Sequence, residues 1–267
     1  MRLARLGAAA VALGSVGALA LAQDTRKEIQ KYQQMIAEGS PAELFELEGE
    51  ALWKKPQGPN KVSLEKCDLG AGPGVLKGAY ARLPRYFKDA DRVMDLETRL
   101  LHCMTTLQGR SLEEATKRVF GNENQASELE YLSAYVAGQS RGIKVAPGLS
   151  HAKEKQAYEL GRKLFYHRAG PWDFSCTSCH GDEDKRIRMT ALPQIDKPEY
   201  ARQVVATWPA YLVRNGHFKT MQWRLNDCYR QMRMPEPNFG SDATIALTTF
   251  LAATGAGEPY RGPGTKR

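Results

Sequence analysis

The sequence predicts an all-α chain made of two similar halves, and three observations carry that expectation. Apolar residues recur at helical spacing over 151–170 (Tyr158, Gly161, Leu164, Phe165) and over 242–254 (Ile245, Leu247, Phe250, Leu251). Between these two segments stands the run Cys176-Thr177-Ser178-Cys179-His180. The first half then repeats the second in ordered blocks, the mark of a duplicated unit. A shift of 112 residues lays Gly49 on Gly161, Leu52 on Leu164, Trp53 on Phe165 and Cys67 on Cys179. A shift of 125 lays Pro84 on Pro209, Tyr86 on Tyr211, Arg99 on Arg224, Leu100 on Leu225 and Cys103 on Cys228. A shift of 115 lays Leu132 on Leu247, Tyr135 on Phe250 and Val136 on Leu251.

C-x-x-C-H is the attachment pattern of c-type haem. Two thiols three residues apart add to the two vinyl groups of one porphyrin, and the adjacent imidazole of His180 reaches the iron. A redox C-x-x-C belongs at a helix start in a strand-helix fold, and half a zinc site needs a second ligand pair; the sequence offers neither setting. A helix ahead of the motif and another closing the chain make each half look like a class I cytochrome c domain. The expectation is therefore two fused class I cytochrome c-like domains, with the glycines and proline of residues 137–148 as the linker and bounds of 23–145 and 146–267. In the first domain Leu64 stands where Cys176 is and Asp68 where His180 is. Without a proximal imidazole that domain is expected to be haem-less, so the chain carries one haem c.

Residues 1–22 have the layout of a secretory signal peptide: Arg2 and Arg5, a run of small aliphatic residues, then Ala20-Leu21-Ala22 before Gln23. Export to the periplasm follows. The apolar run is short and rich in alanine and glycine, and no later stretch reaches spanning length, so no membrane anchor is expected after cleavage. Cleavage removes two arginines and no acid, leaving a net charge of about +6. The charges are scattered and come with no nucleic-acid motif, which favours small anions or an acidic protein partner over DNA.

Five cysteines in an oxidising compartment each need a role. Cys176 and Cys179 hold the haem. Cys67 and Cys103 correspond to Cys179 and Cys228, two positions on opposite sides of the haem pocket. With no porphyrin between them they come within bridging distance, so a Cys67–Cys103 disulfide is predicted, contributing roughly 3 to 4 kcal/mol. Cys228 remains. One reading makes it a buried small hydrophobe; its neighbours Asn226, Asp227, Tyr229 and Arg230 favour another, in which it is the distal axial ligand of the haem iron. Arg224, four residues earlier, then steadies its thiolate from the same helix face. Met234, followed by Pro235, is the distal ligand that the generic class I pattern would choose, and Met232, Met221 and His217 are also available. Lys185, Arg186 and Arg188 after the motif, with Lys219, form either a basic entrance or a solvated face.

C-x-x-C-H followed by R-L-x-x-C and a Met-Pro stretch, in the second of two fused cytochrome domains behind a signal peptide, resembles the SoxA family. These are the larger cytochrome subunits of the SoxAX complexes of bacterial thiosulfate oxidation, and the likeness covers nearly the whole mature chain. The resemblance implies that Cys228 is the distal ligand, often carrying an extra sulfur as a persulfide, and that Arg224 is the active-site arginine. It implies an enzyme, an L-cysteine S-thiosulfotransferase that joins thiosulfate to a cysteine of the SoxYZ carrier. A small SoxX-type cytochrome is the implied partner and electron acceptor. Many relatives hold a second haem in the first domain; Leu64 and Asp68 place this sequence with the single-haem branch, in which a disulfide replaces it. The alternative is a simple electron-transfer cytochrome with Met234 on the iron.

Overall fold

A computed structural model describes residues 39–122, 125–183, 185–187 and 190–266. The signal-peptide reading of residues 1–22 and the basic residue Arg188 lie outside the described residues. The fold concerns Pro41–Arg267, one compact unit.

Its elements in chain order begin with α1 (Ala42–Lys54), β1 (Arg85–Phe87), β2 (Arg92–Met94), α2 (Leu96–Thr106), α3 (Leu112–Thr116) and α4 (Glu128–Gly138). There follow α5 (Ala152–Tyr166), α6 (Cys176–His180), β3 (Arg186–Ile187), β4 (Thr190–Ala191), α7 (Pro198–Val205), β5 (Ala210–Leu212), β6 (His217–Lys219), α8 (Met221–Gln231), α9 (Asp242–Thr254) and β7 (Gly264–Lys266). The helices start where the sequence supplies caps. Asp95 accepts from Thr98 N at α2, Ser127 from Glu130 N at α4, Thr220 from Trp223 N at α8 and Ser241 from Thr244 N at α9. At α4 Glu130 also reaches back to Ser127 N, closing a capping box.

The all-α expectation needs correction, because three small sheets accompany the helices. β1 pairs antiparallel with β2, β3 with β4, and β5 with both antiparallel β6 and parallel β7. Each of the first-half and second-half ribbons delivers the chain directly to a helix cap, Asp95 after β2 and Thr220 after β6. The reversals themselves lie at the surface, and the pairing satisfies the backbone of the strand residues that turn inward, Phe87, Val93, Met94, Leu212 and Phe218.

Two helix pairs cross closely, α1 on α4 and α5 on α9. Both crossings run over a glycine. A Cβ on Gly49 would collide with the Tyr131 carbonyl and one on Gly161 with the Ala246 carbonyl, so only glycine lets the backbones approach. Trp53 and Phe165 lie one helical turn further on and are buried. One core gathers Trp53, Leu64, Leu100, Met104, Leu132 and Val136; another gathers Phe165, Trp208, Leu225, Leu247, Phe250 and Leu251. Each such side chain withdrawn from water contributes about 1.5–3 kcal/mol.

Residues of the N-terminal and C-terminal halves meet through polar bonds and aromatic rings. Gln222 Nε2 donates to Asp95 Oδ2 at 2.7 Å, Tyr80 Oη to the Trp208 carbonyl at 2.9 Å, and Tyr86 N to Glu154 Oε1 at 2.8 Å. Phe45 stacks on Phe218, with ring centroids 5.7 Å apart. The segment between α4 and α5 is itself pinned, Ala146 N to the Ala81 carbonyl and Val145 N to the Glu258 carbonyl.

Candidate functional site

The C-x-x-C-H run forms α6, a single helical turn. An antiparallel bridge between Ala169 and Phe174 folds the preceding loop, and Ser175, whose amide N–H donates to the Ser178 hydroxyl at 3.0 Å, opens the turn. Helical spacing puts Cys176, Cys179 and His180 along one side of it. His180 Nδ1–H donates to the Pro193 carbonyl at 2.7 Å, which leaves Nε2 with its lone pair outward. Burial holds the His180 pKa below the ordinary imidazole range, more than the Pro193 bond raises it. The ring is neutral, as a metal ligand must be.

Helix α8 carries the other side of the site. Leu225 and Met221 anchor it in the C-terminal core, while Arg224 and Cys228 share a face one turn apart. Cys228 is a free, half-buried thiol, as are Cys176 and Cys179. Cys176 is pushed up to about 12 by burial and by Cys228, and Cys228 is raised by burial and by Asp227 and Cys179, against the pull of Arg224 and Arg214. Burial therefore outweighs Arg224, and the bare thiol of Cys228 is not a thiolate on account of the arginine alone. A cation at the sulfur is what would deprotonate it. Tyr229 beside it is likewise raised to about 12, mainly by burial.

Asp227 gathers the basic side chains. Its Oδ2 accepts from Arg224 Nη1 at 2.6 Å, Gln231 Nε2 at 2.9 Å and Arg214 Nη2 at 3.1 Å. Arg230 reaches Asp227 only at 3.6 Å and gives its hydrogen bonds to Glu236, at 3.0 and 3.1 Å.

The remaining sequence-nominated residues scatter. Met234 leaves the end of α8, its amide bonded to the Tyr229 carbonyl at 3.0 Å, and its side chain lies against Gly170 in the loop leading to α6. Met232 and Met221 are buried, and His217 sits in β6 opposite Leu212. Lys185 and Arg186 are exposed, Lys185 3.6 Å from Asp182. Lys219 is at neither a basic entrance nor a solvated face. It is buried, 2.9 Å from Glu130 Oε1, with Trp223 below its ammonium.

In the N-terminal half the matching positions hold different chemistry. Cys67 and Cys103 form a disulfide, S–S 2.00 Å. Leu64 is fully buried in the core. Asp68 Oδ1 accepts from Gly70 N at 2.7 Å and Gly72 N at 2.9 Å, closing a turn. Arg99, the counterpart of Arg224, donates to the Asp68 carbonyl and to both oxygens of Asp89, and lies over the Phe87 ring.

Sequence reasoning missed Asp227 and Arg214. The spacing of Arg224, Asp227 and Arg230 along one helix was a readable signal for the first. Arg214 lies in the turn after β5, and nothing in the sequence links it to α8.

Two free thiols and a neutral imidazole on one turn, walled by Phe165, Tyr158, Trp208 and Leu225, suit a haem covalently attached through Cys176 and Cys179 with His180 Nε2 on its iron. The fold and this donor set define a c-type cytochrome. The chain belongs to the SoxA/TsdA cytochrome c domain family, whose profile matches residues 48–145 and 160–260. Among its relatives, the L-cysteine S-thiosulfotransferase subunit SoxA of Hydrogenophilus thermoluteolus is 48% identical over 241 residues, covering 90% of this chain and 88% of that protein. A SoxA of Hydrogenobacter thermophilus is 33% identical, covering 96% of this chain and 97% of its own. A solved neighbour, the crystal structure of SoxXA from P. pantotrophus, superposes with a TM-score of 0.72 at 23% identity, covering 89% of this chain and 84% of that one. Among the described residues no helix is long and apolar enough to cross a membrane.

Proposed function

We propose that the chain is the haem-bearing subunit of an L-cysteine S-thiosulfotransferase, exported to the periplasm by residues 1–22. On this reading residues 23–145 are a haem-less cytochrome c-like domain and residues 146–267 the domain that holds the one haem c. The repeat of helix pairs, ribbons and caps along the two halves supports the division. The buried Leu64 and the Cys67–Cys103 bond, both lying where a porphyrin would be, support the single haem.

The observation that carries the functional reading is a third sulfur, Cys228, in the neighbourhood of the C-x-x-C-H turn with Arg224 one helical turn away. The name those relatives carry, L-cysteine S-thiosulfotransferase subunit, supports the reaction inferred for this chain, in which thiosulfate joins a carrier thiol, forming one S–S bond and releasing one proton and two electrons. Arg224 offers a forked cation to the sulfonate end of thiosulfate. Cys228 Sγ takes up the outer sulfur, an oxidation that removes two electrons. The carrier thiolate then attacks that sulfur, and Cys228 leaves as the thiolate. A haem held by Cys176, Cys179 and His180 would supply a one-electron path toward a SoxX-type partner cytochrome, with Cys228 the further sulfur available to its iron. SoxYZ is the carrier this chemistry calls for, its cysteine thiol accessible on the acceptor side.

The test is the assembled complex with thiosulfate and carrier. Cys228→Ala is expected to keep covalent haem and lose coupling. Electron paramagnetic resonance of the ferric protein is expected to show thiolate or persulfide ligation that the variant lacks. A His/Met signal in the wild type, abolished in Met234→Ala and not in Cys228→Ala, would leave a simple electron-transfer cytochrome.

A further inference from the structure

Two guanidiniums, from different elements, converge on a single carboxylate oxygen beside Cys228. Arg224 comes from α8, and Arg214 comes from the turn that follows β5. Arg230 is engaged by Glu236 and adds no surplus charge. Arg214 and Arg224 against Asp227 leave one positive charge uncompensated at the rim of a half-buried sulfur.

Their donors are far from used. Among the described residues Arg224 gives one N–H to Asp227, and Arg214 gives one to Asp227 and one to Asn215, out of five on each guanidinium. Arg214 and Arg224 are 39% and 27% exposed, so their remaining N–H groups face solvent and are open to an anion rather than spent on the protein. Arg99, at the corresponding position of the N-terminal half, does spend them: Nε goes to the Asp68 carbonyl, Nη1 goes to both oxygens of Asp89, and the ring of Phe87 lies beneath.

Resting on the thiosulfotransferase reading, we propose that Arg214 is a second anion-recognising side chain, and that Asp227 holds the Arg214 and Arg224 forks apart at a fixed separation to receive a doubly charged sulfur oxyanion. Asp227 offsets one of the two guanidinium charges, so the pair presents one net positive charge with N–H groups from two elements, and that charge holds a dianion more strongly than a monoanion of similar size. The arrangement is specific to the C-terminal half, because Tyr211 and Leu212 lead into this turn whereas the chain after β1 carries Asp89 instead.

The experiment compares the wild-type complex with Arg214→Gln and Arg214→Lys, using thiosulfate, a dianion, and methanethiosulfonate, a monoanion with the same outer sulfur. Arg214 is an exposed side chain, so its loss opens no cavity. Arg214→Gln is expected to raise the KM for thiosulfate about tenfold or more, the worth of one charge-assisted pair. The loss appears in KM rather than kcat, and the preference for thiosulfate over methanethiosulfonate shrinks by the same factor. The inhibition constant of sulfate rises in parallel. Arg214→Lys recovers part of the preference, since it returns the charge without the fork. An unchanged KM, or an equal loss on both anions, would overturn the assignment and leave Arg214 a brace. A wild-type complex that couples neither anion to the carrier would instead overturn the thiosulfotransferase reading on which it rests.

Discussion

Lys219 and Glu130 are 89 residues apart in sequence, and their charged ends lie 2.9 Å apart with both side chains withdrawn from water. Glu130 is already the capping carboxylate of α4, accepting from Ser127 N at 2.8 Å and Gly121 N at 2.9 Å. The ammonium of Lys219 therefore completes a set of donors around a charge that has no access to solvent. Lys219→Met strands that charge and is expected to cost about 3–5 kcal/mol in denaturant unfolding. Replacing both partners by apolar residues of similar size should restore most of the loss, which separates a stranded charge from simple loss of packing.

Glu97 is the second buried acid at the same junction. Its Oε1 is buried with no hydrogen-bond partner among the described residues, and the side chain lines a cavity of about 40 Å³ with Asp95 and Met221. Burial, with Asp95 nearby, holds its pKa well above 4.5. The unfolded chain releases this proton near 4.5 and the folded chain keeps it to higher pH. Stability is then full below the unfolded value and falls as pH rises, until Glu97 itself ionises. Glu97→Gln is expected to flatten that fall. Its melting temperature should match the wild type in acid and exceed it at neutral pH and above.

The glycine crossings make a paired prediction. Gly161→Ala forces α5 away from α9 and is expected to lose about 1–3 kcal/mol, as overpacked interiors do. Gly49→Ala should do the same at the other crossing. Only the first is expected to shift the haem Soret band, because only α5 and α9 frame the C-x-x-C-H turn.

The disulfide closes a loop over a sequence separation of 36, which by chain entropy contributes roughly 3–4 kcal/mol. Cys67→Ser with Cys103→Ser should lower stability by about that amount and leave the haem stoichiometry, read by mass spectrometry, unchanged.

Much of this was legible in the residues. Helical periodicity located α5 and α9, and the repeat offsets placed the Gly49 and Gly161 crossings and paired Cys67 with Cys103. The strands were not legible, because β1, β2, β5 and β6 have three residues each, too few for an alternation to register. Lys219 reads as a surface charge for a related reason: its partner is remote in sequence, and no local pattern announces a buried ion pair. Asp227 was overlooked for the opposite cause. Flanked by Arg224 and Arg230, the other two charges of α8, it resembled a routine solvent-exposed helix face.

In the N-terminal half the positions that match the C-x-x-C-H turn and Arg224 are already committed to other partners. Asp68 is committed to the amides of Gly70 and Gly72, Arg99 to Asp89, and the two sulfurs to each other across the ground Leu64 now fills. Introducing one histidine and one cysteine there would meet none of those obligations, so a haem site in this half would demand several simultaneous changes.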